Sequence, residues 1–157
     1  MITKIISGAQ TGADQGGLEA GRILKLETGG VAPKGFRTET GSNPTLKDYG
    51  IIEHESPSYP PRTIENVRNS TGTVWFGNES SPGGKLTIKT CKKFGKPYTI
   101  NPSKLTLIKW INWNNIRTLN VAGNRESTNK GLQEKVKNFL VMVLTSEEYL
   151  GKKDKLW

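Results

Sequence analysis

The sequence has little with which to cross-link itself or to hold a metal. Its one cysteine, Cys91, has no partner for an intrachain disulfide, which predicts a reducing, cytosolic (cytoplasmic) setting. Cys91 falls in a helical pattern and reads as a small buried apolar residue. The one histidine, His54, stands outside any cluster and reads as a loop or structural residue, so no metal site is expected. No apolar run approaches the ~20 residues of a membrane span. Residues 1–7 are too short and too quickly glycine-rich for a signal peptide. Carboxylates are also scarce. Fourteen Asp and Glu against 23 Lys and Arg give a net charge of +9, which favours anionic partners. Lys89, Lys92, Lys93 and Lys96 read as a solvated helix face, and Lys152, Lys153 and Lys155 as a basic tail over 151–157. No aromatic stacking motif accompanies this charge, so nucleic acid is the less favoured partner.

What the sequence does have is glycine, 18 residues of it, placed between short apolar runs and longer amphipathic ones. Strands are expected at residues 2–7, 31–32, 51–53, 73–77, 97–100 and 119–122. Helices are expected over about 13–26, 62–70, 84–94, 103–115 and 130–144. Gly17, Ala20 and Gly21 let the first helix lie close to a sheet, and Gly29 with Gly30 is expected to stop it. Residues 34–50 read as loop. The last helix has the clearest pattern, with Leu132, Val136, Phe139, Leu140, Val143 and Leu144 three and four apart. Trp75 reads as core, and Trp110 with Trp113 as one packed helix face. Alternating strands and helices predict one α/β domain over residues 1–150, with a mainly parallel sheet covered on both faces.

In such a sheet, ligands bind beyond the carboxyl ends of the strands. Four turns fall there. The first holds Gly8, Ala9, Gln10, Thr11, Gly12 and Asp14, where free amides at a helix start would suit a phosphate oxygen. It is neither a dinucleotide fingerprint nor a P-loop. The second, Gly83, Gly84, Lys85 and Thr87, makes another anion cradle. The third, Gly123, Arg125, Glu126 and Ser127, offers donors and one carboxylate. The fourth brings Lys34 and Arg37. On the helix after Pro61, Arg62 and Asn66 share a face, with Arg62 able to reach the cleft and Asn66 to hold a loop carbonyl or ligand hydroxyl. Taken singly, each motif also suits a plain turn, cap or surface pair. No acid–base pair stands out, so catalytic residues stay unassigned.

Together these segments form a familiar order: Ser7-Gly8-x-Gln10-Thr11-Gly12-x-Asp14, Gly29-Gly30, Pro33-Lys34-Gly35, Arg62-Thr63-x-x-Asn66-Val67-x-x-Ser70, Gly83-Gly84-x-Leu86-Thr87, Gly95-Lys96-Pro97 and Asn120-Val121-Ala122-Gly123-x-Arg125-Glu126-Ser127. This order resembles the molybdenum-cofactor carrier family, from residue 2 to about 144. That family is similar to the Rossmann-like superfamily of the LONELY GUY nucleotide hydrolases and the DprA proteins. The resemblance implies a single-domain Rossmann-like three-layer sandwich. It implies a pocket for an anionic small molecule, the molybdenum cofactor or a nucleotide, and a homo-oligomer, dimer or tetramer. The chain departs from the family at Ala9 (usually glycine), Gln15 (arginine), Lys85 (threonine) and Asn124 (proline), and Glu39-Thr40-Gly41 replaces Glu-Asp-Gly. The hydrolases carry a glutamate soon after Pro-Gly-Gly. Here no carboxylate follows at that place, and Asp14 or Glu126 would have to stand in. The first expectation is therefore a binding protein, a carrier or a sponge for a nucleotide-derived signal. N-glycosidic hydrolysis and single-strand nucleic-acid binding are the alternatives.

Overall fold

A computed structural model describes residues 1–151; the basic tail with Lys152, Lys153 and Lys155 lies outside them. The elements run β1 (Lys4–Ile6), α1 (Ala13–Ile23), β2 (Glu27–Ala32), β3 (Arg37–Thr38), β4 (Gly41–Ser42), a 3-10 helix (Pro44–Tyr49), β5 (Ile51–Glu53), α2 (Tyr59–Asn69), β6 (Gly72–Phe76), α3 (Pro82–Phe94), β7 (Tyr98–Ile100), α4 (Lys104–Trp113), β8 (Thr118–Gly123), α5 (Leu132–Leu144) and α6 (Glu147–Leu150). Six strands form one sheet in the order β5-β2-β1-β8-β6-β7, and every neighbouring pair is parallel. The two-residue strands β3 and β4 pair antiparallel as a separate hairpin.

The two faces of the sheet are packed differently. Side chains alternate across a strand. On one face Ile5, Val74, Leu119 and Val121 meet Leu107, Ile111, Val136, Leu140 and Val143 of α4 and α5, forming the main aliphatic core. α1 presses onto the same face. A Cβ on Gly17 would sit 2.6 Å from Val121 Cβ, and one on Gly21 2.6 Å from Thr28 Cγ2, so the small residues do allow the close approach their sequence predicts. The other side, between the sheet and helices α2 and α3, holds buried polar residues: Thr73 and Asn120 from strands, and Asn66, Thr87 and Thr90 from the helices. Polar groups are costly to bury without partners, and here Asn66, Thr87 and Asn120 line a cleft. The result is a Rossmann-like three-layer α/β sandwich.

Several sequence expectations need correction. Gly29 and Gly30 lie inside β2 rather than stopping α1. The helix ends earlier, where Lys25 takes a left-handed φ of 56° and Leu26 N donates to Gly21 O. Gly30 is needed because β2 runs close beside the end of β1: a Cβ there would sit 2.1 Å from Ser7 O. The 34–50 loop contains the β3–β4 hairpin and the 3-10 helix. α2 starts at Tyr59, so Pro60 and Pro61 both occupy its first turn, where their missing N–H groups leave no hydrogen bond unmade. Trp113 is 90% exposed rather than packed, while Trp110 packs against the main core. Trp75 and Cys91 are buried as read, and His54 Nδ1 accepts from Ser56 N at 2.9 Å. Lys89, Lys92 and Lys93 are exposed, but Lys96 Nζ donates to Ser70 O at 2.7 Å.

Candidate functional site

β6 and β8 are neighbours, yet β6 leads to α3 on one face and β8 to α5 on the other. The departing loops leave a crevice at the carboxyl ends, where open α/β sheets bind ligands. It is a cleft of about 440 Å³. Of the predicted residues it brings together Gly8, Gln10, Asp14, Arg62, Asn66, Gly83, Thr87, Gly123 and Arg125. Asn120 and Asn124, from the predicted turn after β8, and Tyr59, Ser81 and Trp75, from outside the predicted turns, also line it.

Three buried nitrogens on these residues have no hydrogen-bond partner: Gln10 Nε2, Arg62 Nε and Trp75 Nε1. All three are donors. The orientation of Gln10 is not arbitrary. Its Oε1 accepts from both Thr11 N at 3.0 Å and Glu39 N at 2.9 Å, so the amide nitrogen must be the unpartnered end. Leaving a buried donor unmet costs about 1–3 kcal/mol.

Charge gathers at the same place. The guanidinium carbons of Arg37, Arg62 and Arg125 lie 4.9, 5.4 and 5.5 Å from the centre of the Tyr59 ring. Burial lowers the pKa of Arg62, with Asp14 and Tyr59 opposing that shift and Arg125 adding to it. Asp14 is buried, and burial pushes its carboxyl up to about 6 against the pull of Arg62 and the N–H of Gln10. Gly8 is the floor on which Arg62 rests: a Cβ at residue 8 would come within 2.8 Å of Arg62 Cζ. Gly8→Ala should swing that guanidinium aside. The Gly8 backbone is not in the left-handed region, so stability should change by less than about 1 kcal/mol. Anion affinity should fall about tenfold with the lost charge-assisted contact. Paired thermal unfolding and calorimetric titration with ADP-ribose check this, and unchanged affinity would count against it.

The first turn differs from expectation in one respect that matters. Its amides are not free. Ala9 N donates to Ser7 Oγ, Gln10 N to Asp14 Oδ2, Thr11 N to Gln10 Oε1 and Gly12 N to Gln133 Oε1. Thr11 Oγ1 donates to Glu39 and accepts from Glu126 N. Ser127 N and Oγ also donate to Glu39. The amides predicted for a ligand anion are thus taken by side chains of the protein itself, and Glu39 ties the first turn to the turn after β8; its pKa is lowered, since burial would raise it but the hydrogen bonds from Ser127 and Thr11, with Arg125 nearby, outweigh that. Glu126 is spent on the approach to α5, accepting from Gly131 N at 2.8 Å and Gln133 N at 2.9 Å. Gly84 N donates to the capping Ser81 Oγ, and its missing side chain clears Glu79 O by necessity, since a Cβ would sit 2.4 Å away. Lys34 and Lys85 are exposed and do not line the cleft. Arg37 is also outside the lining, donating to Pro57 O. Asn66 is in the wall but clamps β2, pairing with both N and O of Val31.

The departures from the family pattern acquire physical meaning here. Ala9 sits at φ 62°, a conformation that costs a non-glycine residue roughly 1–2 kcal/mol. Ala9→Gly should therefore stabilise the fold by about 0.5–1 kcal/mol after the added unfolded-state entropy, seen as a raised urea midpoint with unchanged slope. A lowered midpoint would refute the strain. Asn124 ties two loops together: its Oδ1 accepts from Asn78 N at 2.6 Å and its Nδ2 donates to Ser81 Oγ. Gln15 Nε2 donates to Ala9 O. Neither Tyr59 nor Glu39 carries a local sequence signal for its part. Trp75 carried one only in retrospect, as the bulky residue one step from the carboxyl end of β6.

Comparison with known proteins gives the family and the same fold. Comparison with curated proteins gives no match. A crystal structure of a Syntrophus aciditrophicus protein named "Putative molybdenum carrier protein" superposes with a TM-score of 0.82 and 30% identity, covering 92% of this chain and 96% of that one. The model of the circularly permutated YpsA SLOG family matches residues 5–144, a span that includes every residue of the cleft, and the chain belongs to that family.

Proposed function

We propose that the cleft binds a phosphate-bearing, nucleotide-like or pterin-phosphate small molecule, and that the protein works as a carrier or a sequestering sponge. The observation that carries this reading is the set of three unpartnered buried donors on residues of one cleft, beside Arg62 and Arg125. An acceptor-rich anion supplies what those donors lack, after small side-chain rotations. The name of the Syntrophus protein makes the molybdenum cofactor a ligand to test. Among the described residues no three His, Cys, Asp or Glu side chains are grouped for a metal. Such a ligand would therefore be held by its phosphate and pterin edge, through Arg62, Arg125 and Gln10. When bound, the cofactor would supply its own redox chemistry; the residues here bind and orient. Mass spectrometry of small molecules released from freshly purified protein should show a co-purifying phosphate compound. Re-adding that class of compound at a hundredfold excess over Kd should stabilise the fold by about 2.7 kcal/mol. No released compound, and no stabilisation by AMP, ADP-ribose or neopterin monophosphate, would sink the proposal.

One observation favours a second reading, N-glycosidic hydrolysis. Asp14 is a cleft carboxyl raised to about 6, suited to move a proton near neutral pH. Glu126, committed to backbone amides, is the poorer candidate. On this reading, nucleotides incubated with the protein release free base, and Asp14→Asn stops the release. Intact nucleotide after long incubation excludes it.

A further inference from the structure

We infer that Trp75 is a specificity-determining residue, whose indole N–H reads a hydrogen-bond acceptor on the heterocyclic part of the ligand. This rests on the cleft reading above. Trp75 is 3% exposed and stands near the end of β6, one residue before Phe76. Its ring packs toward the start of α3, with Cη2 3.7 Å from where a Cβ on Gly83 would lie. It belongs to the cleft wall, and its buried Nε1 has no partner, so that a small rotation of the ring brings the N–H to a ligand. Phenylalanine would fill a comparable apolar site without that cost, since an indole N–H is a donor only and normally finds an acceptor when buried.

Position selects which part of the ligand the indole meets. The cations sit on α2 and the loop after β8, around Tyr59. Trp75 lies instead on the sheet-and-α3 side, with Gly83, Leu86 and Ala122 as neighbours in the wall. Gly83, Leu86 and Ala122 carry no charge, and Thr87 and Asn120 stand beside them in the wall, so that side suits an uncharged flat ring with polar edges rather than a phosphate. The recognised class is a phosphate ester carrying a planar heterocycle with a ring nitrogen or carbonyl at its edge.

The test compares AMP, GMP and neopterin monophosphate with ribose 5-phosphate, which keeps the phosphate and lacks the ring. Trp75→Phe should weaken the best-bound ring compound about fivefold to tenfold, the worth of one hydrogen bond. It should leave ribose 5-phosphate unchanged and the thermal midpoint of the free protein equal or higher. Unchanged affinity for the ring compound, or an equal loss for ribose 5-phosphate, overturns the inference. A second readout keeps it open to refutation if the variant folds badly. In wild-type protein labelled with 15N-tryptophan, the Trp75 indole resonance is identified by elimination with Trp110→Phe, Trp113→Phe and Trp157→Phe. It should move downfield on binding, and a resonance that stays put refutes the contact. Failure of the wild type to bind all four compounds overturns the cleft reading and this inference together, a result distinct from either outcome above.

Discussion

Gly12→Ala should cost about 4 kcal/mol of stability and, at roughly 2–4 °C per kcal/mol for a chain of this length, lower Tm by about 12 °C. Two effects add. Gly12 has φ 81°, which an alanine adopts only with strain of about 1–2 kcal/mol. The second effect is contact. A Cβ at residue 12 would lie 2.4 Å from Asn124 O and 2.8 Å from Arg125 C and Glu126 N. These are backbone atoms and cannot rotate away. Ala13 N also donates to Asn124 O at 3.2 Å, so the turn after β1 is bolted to the turn after β8. Pushing them apart would displace Arg125 from the cleft, and ligand affinity should fall with stability. Gly35→Ala separates the two effects. Gly35 has φ 77° but nothing within 4 Å of its missing side chain, so it should show strain alone, about 1 kcal/mol. Equal losses for the two variants, by chemical denaturation, would mean that the contact between the turns contributes nothing.

Gly12 also shows what was legible in the sequence. Its position at a strand end, and the company of Gly8, Gly83 and Gly123, place the cleft from sequence alone, because parallel sheets put their turns at one edge. The reason for the glycine is another matter. Gly8 makes room for Arg62, whereas Gly12 makes room for another turn of the chain, and no local pattern tells a ligand-facing glycine from a backbone-facing one. The same limit explains Glu39, Thr11 and Ser127. Their mutual hydrogen bonds join segments 28, 88 and 115 residues apart, and a sequence read locally cannot show that one turn's donors are met by another's carboxylate. Gly29 and Gly30 misled for a related reason: in a run of two glycines the local rule sees a helix stop, while the close passage of β2 beside Ser7 is a tertiary demand. The aliphatic face was easier. Leu132, Val136, Leu140 and Val143 repeat with the helix period, and periodicity survives any tertiary detail.

Asp14 should make both stability and ligand affinity depend on pH in the acid range, in a direction opposite to that of most paired carboxylates. Its folded pKa, about 6, lies above its ordinary 3.8, so the folded state holds the proton more tightly than the unfolded chain. The stability this confers is fully present below about pH 3.8 and is lost as pH rises through about 6. A gap of about two units corresponds to something on the order of 3 kcal/mol. Asp14→Asn keeps an oxygen for the Gln10 N–H and removes the charge. The slope between about pH 4 and 6 should then disappear. At about pH 7.5 the variant should be the more stable protein, by up to about that amount, the attraction of Arg62 being already contained in the raised pKa. An anion seated beside Asp14 would raise its pKa further, so binding takes up a proton and affinity should rise by up to about tenfold per pH unit on descending towards 6, levelling off below it. ADP-ribose suits this titration, since its pyrophosphate diester keeps a constant charge across the window whereas a phosphate monoester titrates near 6. Calorimetry in buffers of different ionisation enthalpy would count the proton directly. Wild-type affinity that stays flat between about pH 5 and 7.5, or a slope that persists in Asp14→Asn, would place the bound anion away from Asp14 and outside the cleft that Arg62 and Gly8 define.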